Sequence, residues 1–303
     1  MQDPGGGQSV EDRALPLIGG RRFWVYRGED PPPGSREGDE LFNATFDELD
    51  ARYQDDRSGP IGICVPVSDR ELMGRRPEAV WQETELLYAG TQREAANLAE
   101  ASSGSSQLRI RYFYDATVGQ GLPNSPTIAQ SEALDYSLPP GYRIVPLAET
   151  DAAGPDDVLE LWKREGALPD PEEARRRVHE VSMVALDTRD RVAAVSTVYL
   201  QRNAQLDMDL WNLRGFVATE HRMGNLATRI LWATRDQLRE GYDSGRDTRG
   251  AGVLLDVENQ LLMTYFNRAF WVLSDFWFIG ETQRGAHVRV HYFPGARVPI
   301  PAQ

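Results

Sequence analysis

The pattern of apolar and polar residues becomes regular only after residue 141. Before that point, alternating apolar and polar residues predict strands and helical spacing predicts two helices. The predicted strands are residues 21–28, 61–68 and 107–116, and the predicted helices are residues 46–53 and 77–101.

Four segments follow from this change in pattern. Residues 1–20 have little periodicity and predict a flexible arm, whereas residues 21–116 predict a small α/β region. Residues 117–140 are rich in Gly, Pro and Ser, which is typical of a linker. Residues 141–303 then form the second predicted domain.

After residue 141 the elements are predicted in the order β-α-α-β-β-β-α-β-α-β-β. Proline and acidic residues at the helix starts support the first two helices. The strands are residues 142–147, a hairpin over 183–201, and residues 206–218, 252–257, 272–279 and 287–293, and the helices are residues 151–166, 169–181, 223–240 and 259–270.

One junction in this domain has the sequence features of an anion-binding site. An apolar strand end, Phe216 to Ala218, is followed by a short polar turn with a glycine and then at once by an amphipathic helix. The first turn of a helix presents free backbone N–H groups and the positive end of the helix dipole. The junction therefore predicts a binding site for a phosphate or diphosphate group.

The turn also carries a recognisable pattern, R-x-x-G-x-[GA]. Its six places are filled by Arg222, Met223, Gly224, Asn225, Leu226 and Ala227. Together with the element order, this pattern resembles the GNAT superfamily of acyl-CoA N-acyltransferases over about residues 141–293. Asn225 replaces the central glycine of the family, and asparagine is the non-glycine residue that best tolerates a positive φ.

The resemblance implies a fold and a co-substrate. The fold is a mixed α/β one, a mostly antiparallel twisted sheet flanked by helices, and the co-substrate is acetyl-CoA or a related acyl-CoA. Residues ending the fourth strand of the domain would hold the pantetheine arm, and the turn and first helical residues would hold the phosphates. The residues implied are Phe216, Val217, Ala218, Arg222, Met223, Gly224, Asn225, Leu226, Ala227 and Thr228.

A second family signature falls on residues 258–271. The resemblance implies that Asn259 and Asn267 contact the adenine or pantetheine, and that Tyr265 is a candidate general acid. The candidate bases are the carboxylates Glu220, Asp207 and Asp209. Each has a structural alternative: an acid before a helix start is favoured by the dipole, a strand aspartate can face solvent, and a helix aromatic usually packs in a core.

The composition of the chain limits the binding partners and the cellular compartment that we expect. The net charge of −13 opposes sequence-independent binding to nucleic acid, which needs a basic surface. A single cysteine, Cys64, excludes an intrachain disulfide, and the four histidines have no metal-ligand spacing, so we expect no metal. No apolar run reaches the roughly twenty residues that a membrane span needs, and we expect a cytoplasmic protein.

The two halves of the chain also resemble each other. At an offset of 190 positions Ile63, Val65 and Val67 fall on Val253, Leu255 and Val257, and LRIRYFYDA further on resembles VRVHYFPGA. The first 116 residues could therefore be a degenerate copy of the C-terminal half-sheet that has lost its phosphate loop. The alternative is that any two strand-helix-strand stretches share apolar spacing.

The predicted function is transfer of an acetyl or related acyl group from acyl-CoA to a primary amine on a small molecule or polypeptide. A catalytically weak CoA-binding regulatory protein with the same fold stays open, and so does a homodimer. Transfer of an aminoacyl group from a charged RNA is a third reading, which the acidic balance opposes. In the family, acceptor choice depends on segments that here correspond to residues 162–170 and 280–286.

Overall fold

The computed structural model describes residues 9–15, 18, 20–27, 36–68, 85–88, 106–119, 135–204, 206, 208–222 and 224–296. The strands are β1 (Ser9–Leu15), β2 (Arg21–Arg27), β3 (Gly62–Ser68), β4 (Glu85–Tyr88), β5 (Ser106–Tyr112), β6 (Arg143–Pro146), β7 (Val181–Leu186), β8 (Val192–Asn203), β9 (Met208–Val217), β10 (Gly252–Val257), β11 (Phe270–Trp271), β12 (Phe276–Glu281) and β13 (His287–Tyr292). The helices are α1 (Arg36–Asp55), α2 (Pro155–Glu165), α3 (Pro171–Arg177), α4 (Leu226–Asp243) and α5 (Gln260–Tyr265).

The chain divides into two compact units. The first unit contains residues 1–132, 202–208 and 257–303, and the second contains residues 133–201 and 209–256. The division near residue 132 falls inside the predicted linker, but the first unit also takes in the C-terminal residues that we assigned to the second domain. No helix of the described residues is long and apolar enough to cross a membrane.

The first unit contains a five-stranded sheet in the order β1-β2-β3-β5-β4. Strands β2 and β3 are parallel and are connected through α1, whereas the other neighbours are antiparallel. Helix α1 buries Phe42, Phe46, Leu49 and Tyr53, spaced three to four residues apart, and Phe46 and Tyr53 both pack their rings against Phe113. The same unit holds α5 and the antiparallel strands β11, β12 and β13.

Several elements of this unit differ from the sequence predictions. Residues 9–15 pair with β2 as a strand, although we placed them in a flexible arm. Helix α1 begins at Arg36, ten residues before the predicted helix 46–53. Residues 85–88 form β4 inside the predicted helix 77–101, whose other residues lie outside the described part of the chain. Helix α5 stops at Tyr265 because the chain turns into β11.

The second unit contains strands in the order β10-β9-β8-β7-β6, with helices on both faces. The alternation of β7 shows the two layers directly. Val184 and Leu186 pack with the apolar side chains of α2, and Met183 and Ala185 pack with Leu226 and Ile230 of α4. The mixed α/β fold with helix-flanked sheets is therefore confirmed.

The helix ends of this unit follow the signals in the sequence. Asp157 accepts a hydrogen bond from the Gly154 N–H at the start of α2, and Gly166 closes the helix at φ +64. Asp170 caps α3 through the Glu172 N–H. These caps explain why α2 and α3 begin and end within a few residues of their predicted limits.

A strand-helix-strand segment occurs twice along the chain. In the first copy β1 neighbours β2, and β2 and β3 are parallel across α1; in the second β8 neighbours β9, and β9 and β10 are parallel across α4. An antiparallel pair follows each, β4 with β5 and β12 with β13. The strands end in matching turns, with Ala116 N–H bonded to Phe113 O and Ala296 N–H to Phe293 O, both at 3.0 Å. The common topology is what the tandem hypothesis requires.

Candidate functional site

The junction between β9 and α4 is a tight, well-anchored turn. The Ala218 N–H donates to Ala193 O on β8 at 2.9 Å, so the end of β9 stays attached to the sheet. A single 3-10 turn over Thr219–His221 follows, closed by the His221 N–H on Ala218 O at 2.9 Å. Helix α4 then begins at Leu226, three residues later than predicted.

A left-handed glycine redirects the chain into the helix. Gly224 has φ +109, a conformation that L side chains rarely adopt, and a Cβ there would also meet the Pro139 ring at 3.6 Å. Asn225 has φ −93, so the positive φ anticipated at this motif position is absent. Its side-chain amide instead donates to Asp135 O. The residue that adopts a positive φ is therefore Gly224, one residue before the place where the motif has its central glycine.

The first turn of α4 presents unpaired donors. The N–H groups of Leu226, Ala227 and Thr228 have no acceptor within the described part of the chain. No acidic side chain lies in this first turn, so nothing neutralises the positive end of the helix dipole. Arg222 is exposed beside these amides, and Met223 lies outside the described residues. The arrangement suits an anionic group such as a diphosphate.

Strands β9 and β10 separate next to this turn. The two strands are paired in parallel from Trp211 with Val253 to Leu213 with Leu255. Strand β9 continues to Val217 without a further pair in this register. Phe216 packs with the apolar residues around α2 and Val217 with those around α4, so side chains on both faces hold the end of β9. Beyond Leu213 the register pairs no described residue of β9 with β10, and Val217 O accepts a hydrogen bond from Arg222 Nε at 3.2 Å.

Three groups from other elements hold the turn. The carboxylate of Glu165, the last residue of α2, accepts from the Thr219 N–H at 2.9 Å and the Thr219 hydroxyl at 2.8 Å. These hydrogen bonds lower the pKa of Glu165. His221 Nδ1 lies 2.7 Å from the Tyr142 hydroxyl, while Asn225 is held by Asp135. The turn is therefore preorganised without a ligand.

Two of the candidate bases lie at opposite ends of β9, and the third, Asp207, lies outside the described residues. Glu220 is exposed, with its carboxylate 3.2 Å from His221 Nε2 and 3.8 Å from Arg191. Asp209 is half-buried near the start of the strand, where its carbonyl accepts from the Ala251 N–H. Eight residues of extended chain from Asp209 to Val217 span about 26 Å. The structure does not bring the two carboxylates together.

The remaining predicted residues belong to the first unit. Asn259 caps α5, its Oδ1 accepting from the N–H groups of Leu261 and Leu262. Asn267 is buried and donates from its side chain to Gly119 O at 2.9 Å. Tyr265 is partly exposed, with its ring against Phe266. Among the described residues, no group of three His, Cys, Asp or Glu side chains could hold a metal ion.

The element order and the parallel pair β9 and β10 across α4 match the mixed α/β fold expected from the resemblance. Searches against protein-family models and curated proteins found no match.

Solved structures similar to this chain include several acetyltransferases. NAA60 of Arabidopsis thaliana in complex with a bisubstrate analogue is 13% identical, with 51% of this chain and 99% of that chain covered at a TM-score of 0.35. A GNAT-family acetyltransferase from Listeria monocytogenes 4b F2365 is 15% identical, with 50% and 95% covered at a TM-score of 0.33. Glucosamine-6-phosphate N-acetyltransferase from Arabidopsis thaliana is 15% identical, with 41% and 87% covered at 0.29.

Proposed function

We propose that the chain is an acyl-CoA-dependent N-acyltransferase that acylates a primary amine. The observation that carries this proposal is the set of free N–H groups of Leu226, Ala227 and Thr228, directed by Gly224, beside the point where β9 and β10 separate. The amides and Arg222 would hold the diphosphate. The end of β9 beyond its last pair with β10, Phe216 to Ala218, would hold the pantetheine arm.

The proposed reaction is direct transfer. The acceptor ammonium first loses a proton to a carboxylate, and the free amine then attacks the thioester carbonyl carbon. The new C–N bond replaces the C–S bond, and the thiolate of CoA takes up a proton as it leaves. Asp209 and Glu220 are the proposed bases, and Tyr265 is the proposed acid. Asn259 and Asn267 are proposed to contact the adenine or pantetheine.

Titration calorimetry with CoA and acetyl-CoA tests the binding half of the proposal. We expect saturable binding that is competed by adenosine 3′,5′-bisphosphate, because the proposed contacts are to phosphate groups. Absence of CoA binding at millimolar concentration would remove the proposal. Release of free thiol from acetyl-CoA in the presence of amines, small or on a polypeptide, then tests turnover.

A CoA-binding protein with little turnover is the second candidate. Two observations favour it: Val217 O is already occupied by Arg222 Nε, and Asn267, one of the proposed cofactor contacts, uses its amide on Gly119 O. CoA binding without amine-stimulated thiol release would select this candidate. The binding assay and the thiol-release assay together therefore distinguish the two candidate functions.

A further inference from the structure

A second polar cluster lies beside the point where β9 and β10 separate, away from the anion-binding turn. Arg214 is the first residue of β9 beyond the last recorded pair with β10. It shares a strand face with Phe216, which packs on the α2 side. Its guanidinium lies over the ring of Tyr199 on β8, at 4.3 Å, and its Nη1 faces the carboxylate of Glu180. We call Glu180, Tyr199 and Arg214 the Glu180–Arg214 cluster.

The ion pair in this cluster is incomplete. Arg214 Nη1 and Glu180 Oε2 are 3.6 Å apart, too far for a hydrogen bond. These two atoms are shielded from solvent, and neither has a hydrogen-bond partner among the described residues. The Arg214 side chain as a whole is 40% exposed, and a ligand can approach from this exposed side. A buried polar atom without a partner costs free energy, so an unsatisfied donor facing an unsatisfied acceptor marks a place for a polar ligand.

The surrounding charges explain why Arg214 is only weakly paired. The other oxygen of Glu180 is bound by Arg176 Nη1 at 2.5 Å, and Arg176 also binds Glu173. Hydrogen bonds from Arg176 and Arg177 hold the pKa of Glu173 at about 2, so that carboxylate stays ionised. Because Glu180 is shared between two arginines, Arg214 keeps uncompensated positive charge. An incoming anion can pair with it without breaking a short bond.

We propose that the Glu180–Arg214 cluster binds the acceptor, and that this acceptor is zwitterionic: its ammonium is received by Glu180 Oε2 and its carboxylate or phosphate by Arg214. This inference rests on the proposed acyltransferase function and names its acceptor class. The two unsatisfied atoms have opposite roles, one donor and one acceptor, and an amine with a nearby anion satisfies both at once. Tyr199 holds the guanidinium flat through its ring face.

The test compares acceptors that differ only in the anion. Thiol release from saturating acetyl-CoA is measured with glycine against glycinamide and with 2-aminoethyl phosphate against ethanolamine. We expect kcat/KM at least about tenfold higher for the zwitterionic member of a pair, since a charge-assisted hydrogen bond is lost in the neutral one. Equal rates, or faster turnover of the neutral amines, would overturn the inference.

Variants assign the two charges. Arg214→Gln should remove the preference within each pair while leaving CoA affinity unchanged, and Arg214→Lys should keep part of it. Glu180→Gln should raise KM for both members of a pair alike, because the ammonium is common to both. Arg239→Gln, an exposed arginine paired with Asp243 on α4, is the matched control and should change nothing. An unaltered preference in Arg214→Gln contradicts the assignment.

A binding measurement covers the case in which no amine is turned over. With CoA saturating, 2-aminoethyl phosphate at up to 10 mM (about the weakest affinity worth measuring) is titrated into wild type and Arg214→Gln. We expect binding to wild type that weakens about tenfold or more in the variant; no binding to wild type would end the inference. Failure of CoA itself to bind would instead remove the proposed function.

Discussion

The two strand-helix-strand segments share a topology but differ at the start of the helix. At an offset of 188 positions the buried Gly38, Phe42 and Phe46 of α1 fall on the buried Leu226, Ile230 and Thr234 of α4, and both helices end together. At this offset α1 begins at the position of Gly224. The first segment is helical where the second has a left-handed glycine.

The difference identifies what distinguishes the proposed anion site from a common strand-helix connection. In α4 Gly224 turns the chain at φ +109 two residues before Leu226, and the N–H groups of the first turn have no acceptor among the described residues. In α1 the two corresponding positions are ordinary helix. A helix N-terminus alone is common, and the glycine turn at the separated strand end is the specific feature.

The largest difference between the two segments should appear in the reactivity of a cysteine in each. Burial raises the pKa of Cys64 in β3 to about 12, so its thiolate fraction near neutral pH falls about a thousandfold below that of a free thiol. We expect no labelling of native wild type by a thiol reagent and one label per chain after denaturation. A cysteine placed by Thr228→Cys, in the first turn of α4, should label readily.

Acetyl-CoA, whose acylated sulfur does not consume the thiol reagent, sharpens that comparison. It should protect the cysteine introduced at residue 228, because the proposed phosphates would cover it, and Cys64 should stay unlabelled with or without it. Labelling is followed by mass spectrometry with and without acetyl-CoA. Reaction of native Cys64, or a cysteine at residue 228 that acetyl-CoA does not protect, contradicts the assignment of the binding turn to the second segment.

The next effect concerns the two carboxylates of the second segment. Because Asp209 and Glu220 lie at opposite ends of β9, one thioester cannot contact both. We expect that either Asp209→Asn or Glu220→Gln lowers kcat about a hundredfold, as loss of a general base does, while the other changes it little. Glu240→Gln on the exposed side of α4 is the control. Equal large losses in both variants would contradict this separation.

A tenfold effect is expected at the glycine turn. Gly224→Ala forces an L residue to φ +109, which costs roughly 1–3 kcal/mol and should weaken CoA binding about tenfold or more. Gly241→Ala, inside α4 with room for a methyl group, should bind CoA normally and stabilise the helix slightly. Calorimetry and thermal denaturation of both variants measure these effects. Unchanged affinity in Gly224→Ala would show that the turn makes no contact with the ligand.

The sequence predicts the features that neighbouring residues determine, and it misses those that depend on contacts between residues far apart in the chain. The limits of α2 and α3 follow from caps within a few residues, Gly154 with Asp157 and Asp170 with Pro171. Helix α1 was predicted too short because its first turns carry few apolar residues, although tertiary packing fixes them. His221 and Tyr142 are 79 positions apart, and no periodicity links them. The contact of Glu180 with Arg214 likewise depends on how the 3-10 turn Val178–Glu180, which follows α3, packs against β9.

The smallest effect distinguishes the strands β5 and β13 that close the two segments. By the alignment of LRIRYFYDA with VRVHYFPGA, His287 on β13 stands where β5 has Gln107. Burial, and then the charge of Arg289, lowers the pKa of His287 to about 4, so the folded protein keeps this imidazole neutral. Its Nδ1 is buried with no hydrogen-bond partner among the described residues.

The sign of the pH effect follows from this lowered pKa. Below its ordinary pKa of about 6.5, this histidine binds a proton in the unfolded chain but not in the folded chain. The stabilising contribution of the neutral imidazole is therefore complete above about pH 6.5 and is lost as the pH falls towards 4. Between pH 6.5 and 5.5 we expect a loss of about 1 kcal/mol that His287→Gln abolishes and the exposed control His179→Gln retains. Chemical denaturation at the two pH values measures it. An identical loss in His287→Gln would mean that β13 responds to acid no differently from β5.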